Sequence, residues 1–154
     1  MSAPLVARRH AISFAIAIAI GLGAVACEKL DAAADPVWGK EPCGHCAMLV
    51  GDRLHAAQVV AGGERKFFDD IGCFVLWAEE HPGAAQKAWV RDAETPRWID
   101  ARSASYAHGA RTPMDFGFEA RGVSAQSEET VGFEAMRQAV VRRVRRESGE
   151  RSER

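Results

Sequence analysis

Six consecutive residues, Cys43-Gly44-His45-Cys46-Ala47-Met48, bring two thiols, an imidazole and a thioether together. Thiolate and thioether are soft donors of the kind that select monovalent copper. A Cys-x-x-Cys segment also serves disulfide exchange, structural zinc or a plain disulfide, and each of these places its own demand on the surrounding chain. A structural zinc site wants four ligands, usually two such pairs. Only Cys73, with His55, His81 or His108, is left to supply them, at spacings that give little support. A Cys43–Cys46 disulfide needs only an oxidising compartment. Copper(I) needs the fewest further partners. If Ala47 to Val50 is a strand, Cys46 and Met48 fall on one face, because side chains alternate with period two. Two converging sulfurs would make a low-coordinate site, tight enough to hold copper(I) and open enough to pass it on. Cys43 is either a second thiolate or a flanking residue.

Disulfide exchange is the rival reading, because Cys-Gly-His-Cys is letter for letter the active-site tetrapeptide of protein disulfide isomerases. In a thioredoxin-like fold Cys43 and Cys46 would follow a buried strand and open a helix that lowers the first thiol's pKa. Lys40-Glu41-Pro42 reads as linker rather than strand, and Gly51-Asp52 would break such a helix within about two turns. No Ser/His/Asp set or carboxylate pair sits at suggestive spacing, so the chain reads as a metal carrier rather than an enzyme.

The elements that position this segment follow from periodicity and turn chemistry. Ala47–Val50, Leu54–Ala61 and Arg65–Phe68 read as short strands, separated by Gly51-Asp52 and Gly62-Gly63. Asp69 or Asp70 caps a helix that runs to about His81, where Pro82-Gly83 stops it. Ile71, Phe74, Val75 and Ala78 share its apolar face. Strands are expected near 87–91, 97–101, 105–109 and 116–121. A last helix from about Ser127 carries the stripe Phe133, Met136, Val140 and Val144. The order of elements reads as a small α+β domain built from two repeated units. Within this frame Cys73 is expected as an inert buried thiol. His55 reads as a surface or packing residue, His108 as a strand-end residue and Met136 as core.

The N-terminus reads as an export signal. Arg8, Arg9 and His10 precede an uncharged run from Ala11 to Ala26. At about 16 residues this run is shorter than the roughly 20 a spanning helix requires, and small residues lead to Cys27. Ala24-Val25-Ala26-Cys27 resembles a bacterial lipobox, whose cysteine is lipidated and becomes the new N-terminus. The expected organisation is therefore a signal at 1–26, a lipid-anchored tether at 27–42, a domain at 43–146 and a charged tail at 147–154. A fully extended tether of fifteen residues reaches about 50 Å. Glu28, rather than Asp, after the anchor favours the outer membrane of a two-membrane cell, with the domain facing the periplasm. The whole chain of 154 residues carries 20 basic and 21 acidic side chains. Arg142-Arg143-Val144-Arg145-Arg146 reads as cations complementing a helix C-terminus, so no nucleic-acid partner is expected.

Four landmarks occur in order: Cys43-x-x-Cys46-x-Met48, Phe67-Phe68-Asp69-Asp70, Trp98-Ile99-Asp100-Ala101-Arg102, and Thr112-Pro113-Met114. With them the chain, from Cys43 to about Val141, resembles the NosL family, lipoprotein copper chaperones associated with nitrous oxide reductase maturation. The resemblance implies a fold similar to organomercurial lyase, with two ββαβ-like units. It also implies copper(I) as cargo, with Cys46 and Met48 in the place of the family's ligands and Met114 supplying a further sulfur. Partners would be metalloenzyme assembly proteins or the recipient copper enzyme. Two positions depart from the family pattern: Ala47 stands where glycine is commoner, and Phe116 where some members have histidine.

Overall fold

The computed structural model describes residues 30–123 and 129–153. The expected signal at 1–26, the expected lipidation residue Cys27 and the expected helix start at Ser127 lie outside the described residues. Ala57–Ala61 (β1) and Glu64–Phe68 (β2) form an antiparallel hairpin whose two turn residues, Gly62 and Gly63, both have positive φ. That conformation matches the twist of paired strands, and glycine adopts it without a Cβ penalty. Asp70 then caps Ile71–Glu80 (α1), its carboxylate accepting from the Gly72 N–H at 2.7 Å. Lys87–Arg91 (β3) and Trp98–Asp100 (β4) complete a four-stranded antiparallel sheet in the order β2-β1-β3-β4.

A second sheet holds Ser105–His108 (β5) between Phe118–Arg121 (β6) and Thr130–Val131 (β7), again antiparallel. The long helix Phe133–Ser152 (α2) follows. The described residues thus form a small α+β domain with two helices. The first unit reads ββαβ with β4 added at its edge. The second reads βββα, so its helix closes the unit instead of lying between strands.

Period-two alternation places Ala57, Val59, Phe68, Ala88 and Val90 on the face beneath α1, where all five are buried. Phe68 packs its ring against Phe74 and Trp77 at centroid distances of 5.9 and 5.8 Å. Phe133 bridges the units, 6.1 Å from Phe74 and 6.3 Å from Tyr106. The Tyr106 hydroxyl, inside the core, donates to the Ala101 carbonyl at 2.6 Å. Met136 and Val140 are buried as expected, while the arginine-rich remainder of α2 is largely exposed.

The opposite face of the first sheet shows where the sequence reading of 27–42 as a tether falls short. Residues 31–38 lie across that face. Gln58 is fully buried there, because its side-chain amide exchanges two hydrogen bonds with the Ala34 backbone, at 3.1 and 2.9 Å. Asp35 accepts from the Trp98 indole N–H at 2.8 Å, and Trp38 stacks on Trp98 with centroids 6.4 Å apart. The composition of this stretch lacks periodicity because it docks as an extended segment held by side chains from the sheet. The folded unit therefore begins upstream of Cys43. At the other end, the expected tail at 147–154 continues α2 as far as Ser152.

Candidate metal centre

The loop from Cys43 to Met48 is a tight turn, not the approach to a strand. The Cys43 N–H donates to the Met48 carbonyl at 2.7 Å and the Ala47 N–H to the Cys43 carbonyl at 3.1 Å. Pro42 and Leu49 form an isolated bridge, and the expected strand at 47–50 is absent. Ala47 has φ of 61°, in the left-handed region, which breaks the alternation that would have set Cys46 and Met48 on one face. Met48 is instead half exposed, at 49%. The Gly44 N–H donates to the Phe67 carbonyl at 2.8 Å, pinning the loop to the β2 edge. A Cβ at Gly44 would lie 3.0 Å from the Phe68 ring, so the close approach favours glycine.

The partner that this docking brings in is Cys73, in the first turn of α1. Cys73 is fully buried, Cys43 is 3% exposed and Cys46 is partly exposed. Their three Sγ atoms all lie within 4.8 Å of one another. Metal–thiolate bonds of about 2.3 Å in a trigonal plane would set sulfur–sulfur distances of about 4.0 Å. The triad is close to that spacing already. Cys73 is buried in the core, as its apolar helix position suggests, but its thiol also lies beside those of Cys43 and Cys46. Among the described residues no histidine or carboxylate joins the three.

Hydrogen bonding divides the protons unevenly. The Cys73 S–H donates to Cys43, which, with backbone contacts from Cys46, His45 and Asp69, holds the Cys43 thiol down to about 5 despite burial. Cys73 is pushed far up, first because it serves as that donor and then by burial. Burial raises Cys46. Near neutral pH the triad therefore carries one thiolate and two thiols.

Neighbouring carboxylates fix the elements that carry these thiols. Asp69 accepts from the Gly51 and Asp52 N–H groups at 2.7 and 2.9 Å, anchoring the chain that leaves the cysteine loop. Asp70 is fully buried, and besides capping α1 it accepts from the Thr112 hydroxyl at 2.6 Å and the Met114 N–H at 2.9 Å. The Phe116 ring lies over Gly72, where an added Cβ would come within 2.1 Å of it. The Thr112–Phe116 segment thus rests on the same turn of α1 that bears Cys73, and Met114 packs against the core.

The histidines lie elsewhere. His45 Nδ1 is 3.6 Å from a Glu80 carboxylate oxygen. His55 Nδ1 sits 3.1 Å from Asp52, close enough for charge attraction but out of line for a good hydrogen bond. His108 meets the Phe118 ring edge-on at 4.9 Å. Residue types alone could not single out Cys73. The one available signal was its place three residues after the capping Asp70, which puts its thiol at the sheet end of α1.

No protein-family model matches the chain, and no curated protein matches it at a significant level. A solved structure does: the crystal structure of the copper chaperone NosL from Shewanella denitrificans superposes with a TM-score of 0.54 at 16% sequence identity. The match covers 65% of this chain and 89% of that one. At that identity the likeness is one of fold.

Proposed function

We propose that this domain binds copper(I) and delivers it to a partner in the assembly of a copper enzyme, nitrous oxide reductase being the recipient that the NosL likeness favours. The observation that carries the reading is the trio Cys43, Cys46 and Cys73, two of them buried, with sulfurs within 4.8 Å of one another. Soft thiolates suit copper(I) and zinc alike, but a closed zinc site takes four ligands, and three converging sulfurs, joined by no histidine or carboxylate among the described residues, fit copper(I) better. Two of the thiols are buried and Cys46 reaches the surface, so cargo can be exchanged at one edge. Met48 and Met114 are the remaining candidate sulfurs: the first is half exposed on the loop, the second is seated against the turn that bears Cys73.

The same geometry disfavours disulfide exchange through Cys43 and Cys46. Cys43 has the lowered pKa of a reactive thiolate, but attack on a substrate disulfide needs access, and this sulfur is covered. Its stabilising donor is also another thiol rather than a helix N-terminus. The role proposed is that of a carrier, not an enzyme. Export, a lipid anchor at Cys27 and a periplasmic setting complete the proposal, resting on the N-terminal sequence. Among the described residues no helix is long and apolar enough to cross a membrane.

The test is competition of the purified, reduced domain against a colorimetric copper(I) chelator, with circular dichroism to establish folding. Cys46→Ser and Cys73→Ser should each weaken retention by at least tenfold, and Met48→Leu should weaken it less, since it keeps approximate volume and apolarity. Wild-type retention by folded Cys73→Ser, together with total loss in Cys43→Ser, would overturn the three-thiol assignment.

A further inference from the structure

The docked N-terminal segment determines which end of the domain can approach a bilayer. Lys87 Nζ donates to the Asp31 carbonyl at 3.3 Å and Arg65 to the Ala32 carbonyl at 2.8 Å. Arg65 and Lys87 both pair with Val60, two residues before the Gly62-Gly63 turn. The chain then passes Gln58 at Ala34 and reaches Arg91 and Trp98 at Asp35. It therefore enters at the hairpin tip and runs toward the start of β1. Leu30 lines a surface hollow together with Gly63 and Glu64, at that same tip.

Only the step from Cys27 to Asp31 is left to span any gap, and four residues reach at most about 14 Å. This argument rests on the lipid-anchor part of the functional reading. We infer that the β1–β2 hairpin end is a membrane-proximal surface, held against the lipid headgroups by the docked segment at 31–38. Free swinging over the roughly 50 Å that an undocked tether would allow is thereby excluded. The thiol trio lies toward the other end of the hairpin. Strand β2 runs away from the tip for about 13 Å before Asp70 turns the chain into α1, whose first turn holds Cys73. The exposed edge of the metal centre is accordingly offered to a partner standing off the bilayer.

The full-length chain, expressed in a two-membrane bacterium, can carry a photoreactive p-benzoylphenylalanine at either of two exposed positions. Glu64, with a side chain 78% exposed, marks the tip, and Leu54, 51% exposed, marks the opposite end. A metabolic fatty-acid probe reports the anchor in the same samples. Irradiated membranes should yield several-fold more lipid adducts, read by mass spectrometry, from the Glu64 position than from the Leu54 position. A flexible Gly-Ser insertion between Lys29 and Leu30 should level the two while leaving the fatty-acid label intact. Equal lipid adducts at both positions in labelled protein, or protein adducts in place of lipid at Glu64, would overturn the inference and leave copper binding untouched. An unlabelled chain would overturn it together with the anchor, again without bearing on the thiol trio.

Discussion

Three sulfurs placed within reach of one ion gain their chemistry from how their protons are shared. The Cys73 S–H holds the Cys43 thiol down to about 5, so near neutral pH the three side chains share one negative charge and two protons. A metal that takes all three as thiolates must expel the protons on Cys46 and Cys73, about two per ion at neutral pH. Affinity should therefore rise with pH, because the metal competes with protons on groups whose pKa values are raised. Copper(I) titration in lightly buffered solution with an indicator dye measures the release directly. Release near zero would mean that only Cys43 enters as an anion. Ala47 offers a second test at this scale. Its left-handed backbone costs a non-glycine residue about 1 kcal/mol or more, and glycine's extra freedom in the unfolded chain takes back part of that gain. Ala47→Gly should raise the stability of the metal-free domain in urea by a few tenths of a kcal/mol to about 1 kcal/mol. A fall would contradict the turn geometry. The turn that presents Cys46 holds Ala47 at a φ of 61°, a conformation that glycine adopts without a Cβ penalty.

At the scale of elements, strands and helices announced themselves where a local signal was strong. The hairpin at Gly62-Gly63, the helix capped at Asp70 and the strand Lys87–Arg91 all stand where turn residues and periodicity place them. The segment Ala47–Val50 has strand-like letters but no strand, because loop hydrogen bonds within 43–48 and the φ of Ala47 outweigh propensity. β7 is only two residues long, below what alternation can reveal. The Cys73 contact was illegible for a different reason. It joins segments thirty residues apart, and only the docking of the cysteine loop on β2 brings them together. Asp70 is the joint of this arrangement, holding α1, Thr112 and Met114 through one buried carboxylate. Asp70→Ala removes the cap and leaves two donors unpartnered, which should cost about 2–4 kcal/mol in urea unfolding. Asp70→Asn, which keeps a carbonyl acceptor, should cost less. A loss below about 1 kcal/mol for Asp70→Ala would show that the Thr112–Met114 segment is held by other contacts.

At the level of the domain, the two antiparallel sheets and two helices of the described residues form a frame in which one face of the first sheet is core and the other is a berth for residues 31–38. Gln58 marks that berth in the sequence, a polar residue in an otherwise apolar strand, yet its partner Ala34 has no signature of its own. The frame holds a cysteine loop at one sheet edge against a helix that supplies the third thiol, and this construction underlies the proposed copper(I) carriage. X-ray absorption at the copper edge of the copper(I)-loaded, reduced domain, compared between wild type and Cys73→Ser, distinguishes three-thiol ligation from two. The wild type should show about three sulfur neighbours near 2.3 Å, the distance typical of a metal–thiolate bond, and the folded variant one fewer. A sulfur shell unchanged by Cys73→Ser would contradict three-thiol ligation.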